Sequence, residues 1–264
     1  MVWIKICGIT DIYDARQIAS AGADALGFIL STNSPRRVSD EKFISIAGHL
    51  RKNSPLETDS ELKVSIFPGC ASHKKHPAIV GVFVNEKIER IHGLLDENLL
   101  DFIQFSGDED KDYLKKIKNM ESAGSDKNSK FNKNSQNSKS DRNNKSGRNS
   151  TKIIKLIRIS GSAKRETFYQ EMFSLQKYAD FFLLDTFNAG FYGGTGQVFN
   201  WHLVKDIGKD FPVIIAGGLN SHNVKEALRI VKPFGVDASS GLEICPGKKD
   251  IEKTKEFIMR ARDL

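Results

Sequence analysis

The chain has 264 residues, enough to bury a sizeable core in one large domain or two small ones. No apolar run approaches the ~20 residues that span a bilayer, and residues 1–8 lack the basic start and long apolar core of a secretory leader, so a cytosolic protein with no membrane partner is expected. Three scattered cysteines (Cys7, Cys70, Cys245) and six dispersed histidines, with only His73 and His76 close together, argue against a disulfide framework and against a metal site.

The net charge of +7 suggests nucleic acid until it is located. Between Glu121 and Lys152 stand eight basic residues against three acidic ones, so that stretch holds five of the seven net charges. The remainder is an ordinary surface, and no nucleic-acid partner is expected. Residues 121–150 are low-complexity, rich in Asn, Ser and Lys, with Phe131 the only large apolar side chain. They read as a disordered insertion, because they cannot bury enough surface to offset the entropy of ordering. A second irregular stretch spans about 53–78, broken by Pro55, Pro68, Gly69 and Pro77.

Short apolar runs alternate with amphipathic segments in the remaining chain, the pattern of βα units and a parallel sheet. Strands are expected at 3–7, 25–30, 79–84, 101–105, 152–159, 181–184, 213–216 and 235–238. Helices are expected at 13–21 (capped by Thr10 or Asp11), 40–50, 86–95, 110–119, 164–177, 201–207, 221–231 and 248–262. Eight repeats of one unit, without a glycine-rich dinucleotide fingerprint after the first strand, favour an α/β fold of the (β/α)8-barrel type over an open sheet. The whole chain, 1–264, reads as one barrel domain carrying the two insertions. Nothing in it separates a monomer from a homodimer.

Barrel active sites form at the C-terminal strand ends, where this chain places few reactive side chains. Ala216-Gly217-Gly218 and Ser239-Ser240-Gly241 end the last two strands. They are either tight turns or a phosphate cradle of backbone amides, and two such loops in these places favour phosphate. Cys7 ends strand one beside Gly8 and reads equally as a small buried residue or as a base whose pKa is tuned toward neutrality. Asp185 follows Phe-Phe-Leu-Leu at the rim of an apolar interior, where desolvation would raise its pKa and suit it to general-acid work. Gly193-Gly-Thr-Gly196 follows as a loop able to close over a ligand. Arg36, after strand two, is either a carboxylate clamp or a solvated arginine. Asp24 and Asp237 read as structural.

Taken in order, these segments resemble the N-(5'-phosphoribosyl)anthranilate isomerase family. The matching stretches include Lys5-Ile-Cys-Gly-Ile-Thr10, Gly22-Ala-Asp-Ala-Leu-Gly-Phe28, Ser34-Pro-Arg36 and Val80-Gly-Val-Phe-Val-Asn85. Gln104, Gly107-Asp-Glu109, Leu183-Leu-Asp185, Ala216-Gly-Gly-Leu-Asn220 and Val236-Asp-Ala-Ser-Ser-Gly-Leu-Glu243 continue the series. The resemblance implies an Amadori rearrangement of a phosphoribosyl anthranilate without metal or organic cofactor. It implies that Cys7 is the base, Asp185 the acid, Arg36 the holder of the anthranilate carboxylate, and Gly217, Gly218, Ser239, Ser240 and Gly241 the phosphate loops. One departure is Ser106, where the family usually carries a histidine. The related aminoaldose isomerases of histidine biosynthesis would be expected to carry an aspartate where Cys7 stands. A nucleic-acid arm on an inert barrel is disfavoured because the basic insertion lacks interleaved aromatics for stacking bases.

Overall fold

The computed structural model describes residues 1–52, 76–124, 151–160, 163–186 and 199–263. Eight parallel strands, β1 (Trp3–Cys7), β2 (Ala25–Ile29), β3 (Ala78–Phe83), β4 (Phe102–Phe105), β5 (Lys152–Ile159), β6 (Phe181–Thr186), β7 (Val213–Ile215) and β8 (Gly235–Ala238), close into a barrel in sequence order. Closure is made by β1 against β8, where Lys5 is paired in register with Asp237. The helices are α1 (Ile12–Ser20), α2 (Asp40–Lys52), α3 (Ile88–Asp96), α4 (Lys111–Gly124), α5 (Arg165–Leu175), α6 (Val224–Val231) and α7 (Ile251–Arg262).

Strand alternation divides the core in two. Ile4 and Ile6 of β1 face outward into the layer between sheet and helices, whereas Trp3 and Cys7 belong to a second cluster inside the barrel. Trp3, Phe102, Phe181 and Phe234 fill the N-terminal end of that interior, with neighbouring ring centroids 4.8–6.0 Å apart. The aromatic plug leaves room for ligands only at the opposite end. The outer layer follows helical spacing: α6 buries Val224, Ala227, Leu228 and Val231, one stripe of an amphipathic helix.

The first helix is capped by Asp11, whose side chain accepts from the Asp14 amide at 2.8 Å; Thr10 instead donates to the Gly247 carbonyl. Three expectations need correction. The helix expected at 201–207 is two 3-10 turns, Trp201–Val204 and Ile207–Lys209, separated by Asp206 in the left-handed region (φ 58°). Close packing holds that break, since a Cβ on Gly208 would lie 2.1 Å from the Lys232 carbonyl oxygen. The last helix does not begin at 248: β9 (Glu243–Cys245) and β10 (Lys248–Lys249) first form an antiparallel hairpin, and Asp250 then caps α7. The helix expected from 221 starts at Val224, after a turn in which the Asn220 amide donates to Asn223 Oδ1.

The stretches expected to be irregular lie outside the described residues except at their ends, where β3 already begins at Ala78 and α4 continues to Gly124. The described residues that flank them are a helix C-terminus and a strand N-terminus in each case, Lys52 and Ala78, then Gly124 and Lys152. The glycine-rich loop 193–196 and His73 also lie outside the described residues. His76 contacts Arg51 and the Pro77 carbonyl.

Candidate active site

All eight residues singled out in the sequence line one cleft at the C-terminal end of the barrel. Cys7 is the last residue of β1 and is buried. Gly27 of β2 makes room for it: a Cβ there would lie 2.8 Å from Cys7 Sγ and 3.0 Å from Lys5 Cε. Burial pushes the Cys7 thiol above its ordinary pKa, and the positive charges of Lys5 and Lys249 oppose this only in part. This direction is opposite to the tuning toward neutrality that the sequence suggested.

Asp185 lies within β6, which runs one residue past it. Burial pushes its carboxyl up to about 6, aided by the negative charge of Asp237 and opposed by the Thr186 amide, which donates to Oδ1 at 2.7 Å, and by Lys5 and Arg158. Desolvation at the rim of an apolar strand is thus the dominant cause, as the sequence suggested.

Gly217, expected in a phosphate loop, is also set by the structure against Asp185. A Cβ at this position would lie 2.6 Å from both Asp185 Oδ1 and Thr186 Oγ1, and its φ of 82° is unfavourable for any other residue. Gly22, at φ 93° with open space around it, is the matched control. Gly217→Ala is expected to lower kcat by about tenfold or more, the cost of displacing by about 1 Å a group in the proton-transfer role expected of Asp185. Gly22→Ala should leave kcat unchanged and cost only backbone strain, of about 1 kcal/mol. Steady-state rates and melting of the two variants check this; equal rates would show that the Asp185 carboxylate does not depend on the missing Cβ.

Gly218 (φ 64°) continues the β7 loop, and Ser239, Ser240 and Gly241 form the β8 loop. The loops pack closely, since a Cβ on Gly241 would lie 2.4 Å from the Leu219 carbonyl oxygen. Ser239 Oγ donates to the Cys7 carbonyl at 3.0 Å, tying the β8 loop to the end of β1.

Arg36 is not a solvated surface residue. Its Nε donates to Glu243 Oε1 at 2.9 Å and its Nη2 to Glu243 Oε2 at 2.7 Å, a two-pronged pair. Glu243 also accepts from the buried Lys249 at 2.9 Å. Burial would raise the Glu243 carboxyl, but Arg36 and Lys249 together hold it below the usual range. Nη1 is left as the uncommitted end of the Arg36 guanidinium among the described residues. Sequence reasoning missed Lys5, Glu243 and Lys249, and it took Asp237 as merely structural. The available signal was parity: Lys5 and Asp237 occupy the inward positions of their strands, beside Trp3 and Cys7 and opposite the apolar Ile4, Ile6 and Val236. Asp24, by contrast, is structural, accepting from the Ile4 amide and from Arg262. Ser106 lines the cleft and accepts from Gln104 Nε2 at 3.0 Å.

The family model for N-(5'phosphoribosyl)anthranilate (PRA) isomerase matches residues 52–145 and 138–260. A curated N-(5'-phosphoribosyl)anthranilate isomerase of Aquifex aeolicus is 35 % identical over 263 residues, covering 99 % of both chains. The chain belongs to the N-(5'-phosphoribosyl)anthranilate isomerase family. A second family member, from Sulfurihydrogenibium sp., is 37 % identical over 97 % of this chain and 96 % of its own. The solved isomerase of Thermotoga maritima superposes with a TM-score of 0.71 at 29 % identity, with all of both chains covered. A solved phosphoribosyl anthranilate isomerase in complex with reduced 1-(o-carboxyphenylamino)-1-deoxyribulose 5-phosphate matches over the full length of both chains, with a TM-score of 0.68 and 28 % identity. Among the described residues no group of three or more His, Cys, Asp or Glu side chains is arranged to hold a metal. None of the described helices is long and apolar enough to cross a membrane.

Proposed function

We propose that Cys7 and Asp185 divide the proton transfers of the family's reaction, the Amadori rearrangement of N-(5-phospho-β-D-ribosyl)anthranilate to 1-(2-carboxyphenylamino)-1-deoxy-D-ribulose 5-phosphate. The reading rests on one observation above the others: a carboxyl raised to about 6 by burial lines the same cleft as the thiol at the end of β1. The Asp185 carboxyl protonates the furanose ring oxygen, the C1'–O bond opens, and the nitrogen lone pair forms the iminium. The Cys7 thiolate then removes the C2' proton, giving an enolamine that tautomerises to the ketone. No external oxidant or reductant is needed, because C1' is reduced as C2' is oxidised.

Arg36, with Nη1 uncommitted, is the proposed holder of the anthranilate carboxylate, and the Gly217–Gly218 and Ser239–Gly241 loops are proposed to bind the phosphate. The carboxyphenyl and phosphate groups of the ligand in the related complex are the chemical classes these features would recognise. The substrate is an anionic small molecule made and consumed among soluble metabolites, and the cytoplasm is the proposed site of action.

The two pKa directions imply a specific pH profile. Near neutrality the pair holds one proton, which rests on Cys7, whereas the reactive form has it on Asp185. Because the acid must be protonated and the base ionised, kcat/KM should rise to about pH 6, stay flat, and fall only above the ordinary thiol range. The assay is the loss of phosphoribosylanthranilate fluorescence on adding folded protein across about pH 5–10, which brackets the Asp185 value of about 6 and the ordinary thiol value. No loss at any pH would reject the activity. A maximum confined to below pH 6 would reject the proton assignment.

A further inference from the structure

Cys7 alone is a poor base in this site, because burial holds its proton on. The groups around it contain a device for removing that difficulty. Lys5 lies on the same inward face of β1, one layer below Cys7, and is fully buried. The bare face of Gly27 brings the two together: the position a Cβ would take there is 2.8 Å from Cys7 Sγ and 3.0 Å from Lys5 Cε. Asp237, the register partner of Lys5 on β8, places Oδ2 3.0 Å from Lys5 Nζ. Yet Nζ makes no hydrogen bond of ordinary geometry among the described residues, and Asp237 Oδ1 is likewise unmatched. The buried ammonium thus stands within reach of both the Asp237 carboxylate and the Cys7 thiol, where it favours the charge that forms when the thiol ionises.

We infer that Lys5, held in place by Asp237, is a positioning residue for Cys7, and that its ammonium stabilises the thiolate that takes the C2' proton. Lys5 remains protonated throughout, and the proton lost by Cys7 is balanced by the one carried on Asp185 in the reactive form. The charged groups facing Cys7 are Lys5 on its own strand, Asp237 on β8 and Lys249 on β10, with Asp185 across the cleft. Arg36 stands beside Gly8 with its charge matched by Glu243. In line with the geometry, burial alone would lower the Lys5 pKa, but the charges of Asp237 and Cys7 overcome it and hold the ammonium above its ordinary value. The two members of the pair should thus act on the thiol with opposite sign: Lys5 lowers its pKa and Asp237 raises it.

This inference rests on Cys7 being the base, so the test separates the two. In the ligand-free full-length protein, the rate of Cys7 alkylation by iodoacetamide is followed against pH and read on the Cys7 peptide by mass spectrometry, which sets Cys70 and Cys245 aside. Lys5→Met should raise the midpoint by about one unit or more, and Asp237→Asn should lower it, since one pKa unit corresponds to a tenfold change in thiolate at fixed pH. The Lys5→Met/Asp237→Asn double variant removes both charges while keeping shape, and it should also raise the midpoint; it carries the test if Lys5→Met does not fold. In turnover, Lys5→Met should lower kcat by about tenfold or more with KM changed less than about twofold. Midpoints unchanged in the foldable Lys5 variants, or shifted the same way by Lys5→Met and Asp237→Asn, would overturn the inference. Opposed midpoints in a protein whose Cys7→Ala variant keeps full turnover would uphold the electrostatic device and reject Cys7 as the base.

Discussion

Cys7→Ala and Asp185→Asn are each expected to lower kcat by about 10²–10⁴-fold, the contribution ordinarily made by a positioned base or acid. The fold is expected to survive either change. Cys7 is a small residue at a strand end, and Asp185 accepts a single backbone hydrogen bond from Thr186. The Asp185 variant carries a second signature. A carboxyl at about 6 in the folded state, against 3.8 ordinarily, means that the folded protein binds more protons between those values. Stability therefore falls as pH rises from 4 to 6, and the penalty persists above pH 6. Asp185→Asn removes it. The variant should be more stable than the parent by about 3 kcal/mol at pH 7 and little different near pH 4. Such an exchange of stability for activity is what an acid placed in an apolar rim costs. Denaturant melts at the two pH values, beside steady-state turnover, check both halves. An Asn variant less stable at pH 7, or one that retains near-parental turnover, would remove Asp185 from the role of acid.

Lys155→Met carries the largest expected loss of stability. Lys155 and Glu109 are both buried and form an ion pair at 3.1 Å. Lys155 also donates to the Gly107 carbonyl at 2.7 Å, while Glu109 accepts from the amides of Asn85 at 2.7 Å and Gly107 at 2.9 Å. This network joins the loops after β3 and β4, between which Ser106 lines the cleft. Removing the lysine leaves a carboxylate buried without its counter-charge, a change that costs about 3–5 kcal/mol and lowers Tm by about 10 °C in a chain of this size. The contrast is Lys152, whose side chain is 48 % exposed and pairs with Asp180 at 3.3 Å. Lys152→Met should cost less than about 1 kcal/mol, because solvent screens the pair. Thermal and guanidinium unfolding of both variants decide it; equal losses would mean that burial does not set the value of these pairs.

Lys155 also shows where the sequence is readable and where it is not. The run Lys152–Ile159 announces a strand, and the structure has one over the same residues. Alternation places its lysines, but it does not say which face points into the barrel. Lys155 faces outward into a loop network while Arg158 faces the cleft, and only closure of the sheet separates them. The same ambiguity concealed Asp237. Within Gly-Val-Asp-Ala its carboxylate looks structural, and its contact with Lys5 exists only because β8 closes on β1 across more than two hundred residues of sequence.

Local signals carried further where the chemistry itself is local. Strand boundaries, the Asp11 cap, the positive-φ glycines after β7 and the burial of Asp185 behind four apolar residues are each decided by neighbours in the chain. Regular segments that tertiary contacts truncate were less legible: packing of Gly208 on Lys232 breaks the helix expected at 201–207, and the hairpin pairing Lys248 with Cys245 delays α7. The sequence by itself determined the barrel, its open end and which side chains stand at that end, because strand period, glycine placement and ordered motifs are properties of short stretches. Only the tertiary structure decided the direction of the Cys7 shift, the capture of Arg36 by Glu243, and the Lys5–Asp237 pair beneath the thiol. Those depend on desolvation and on charges brought together across the barrel, and neither is encoded in any one segment.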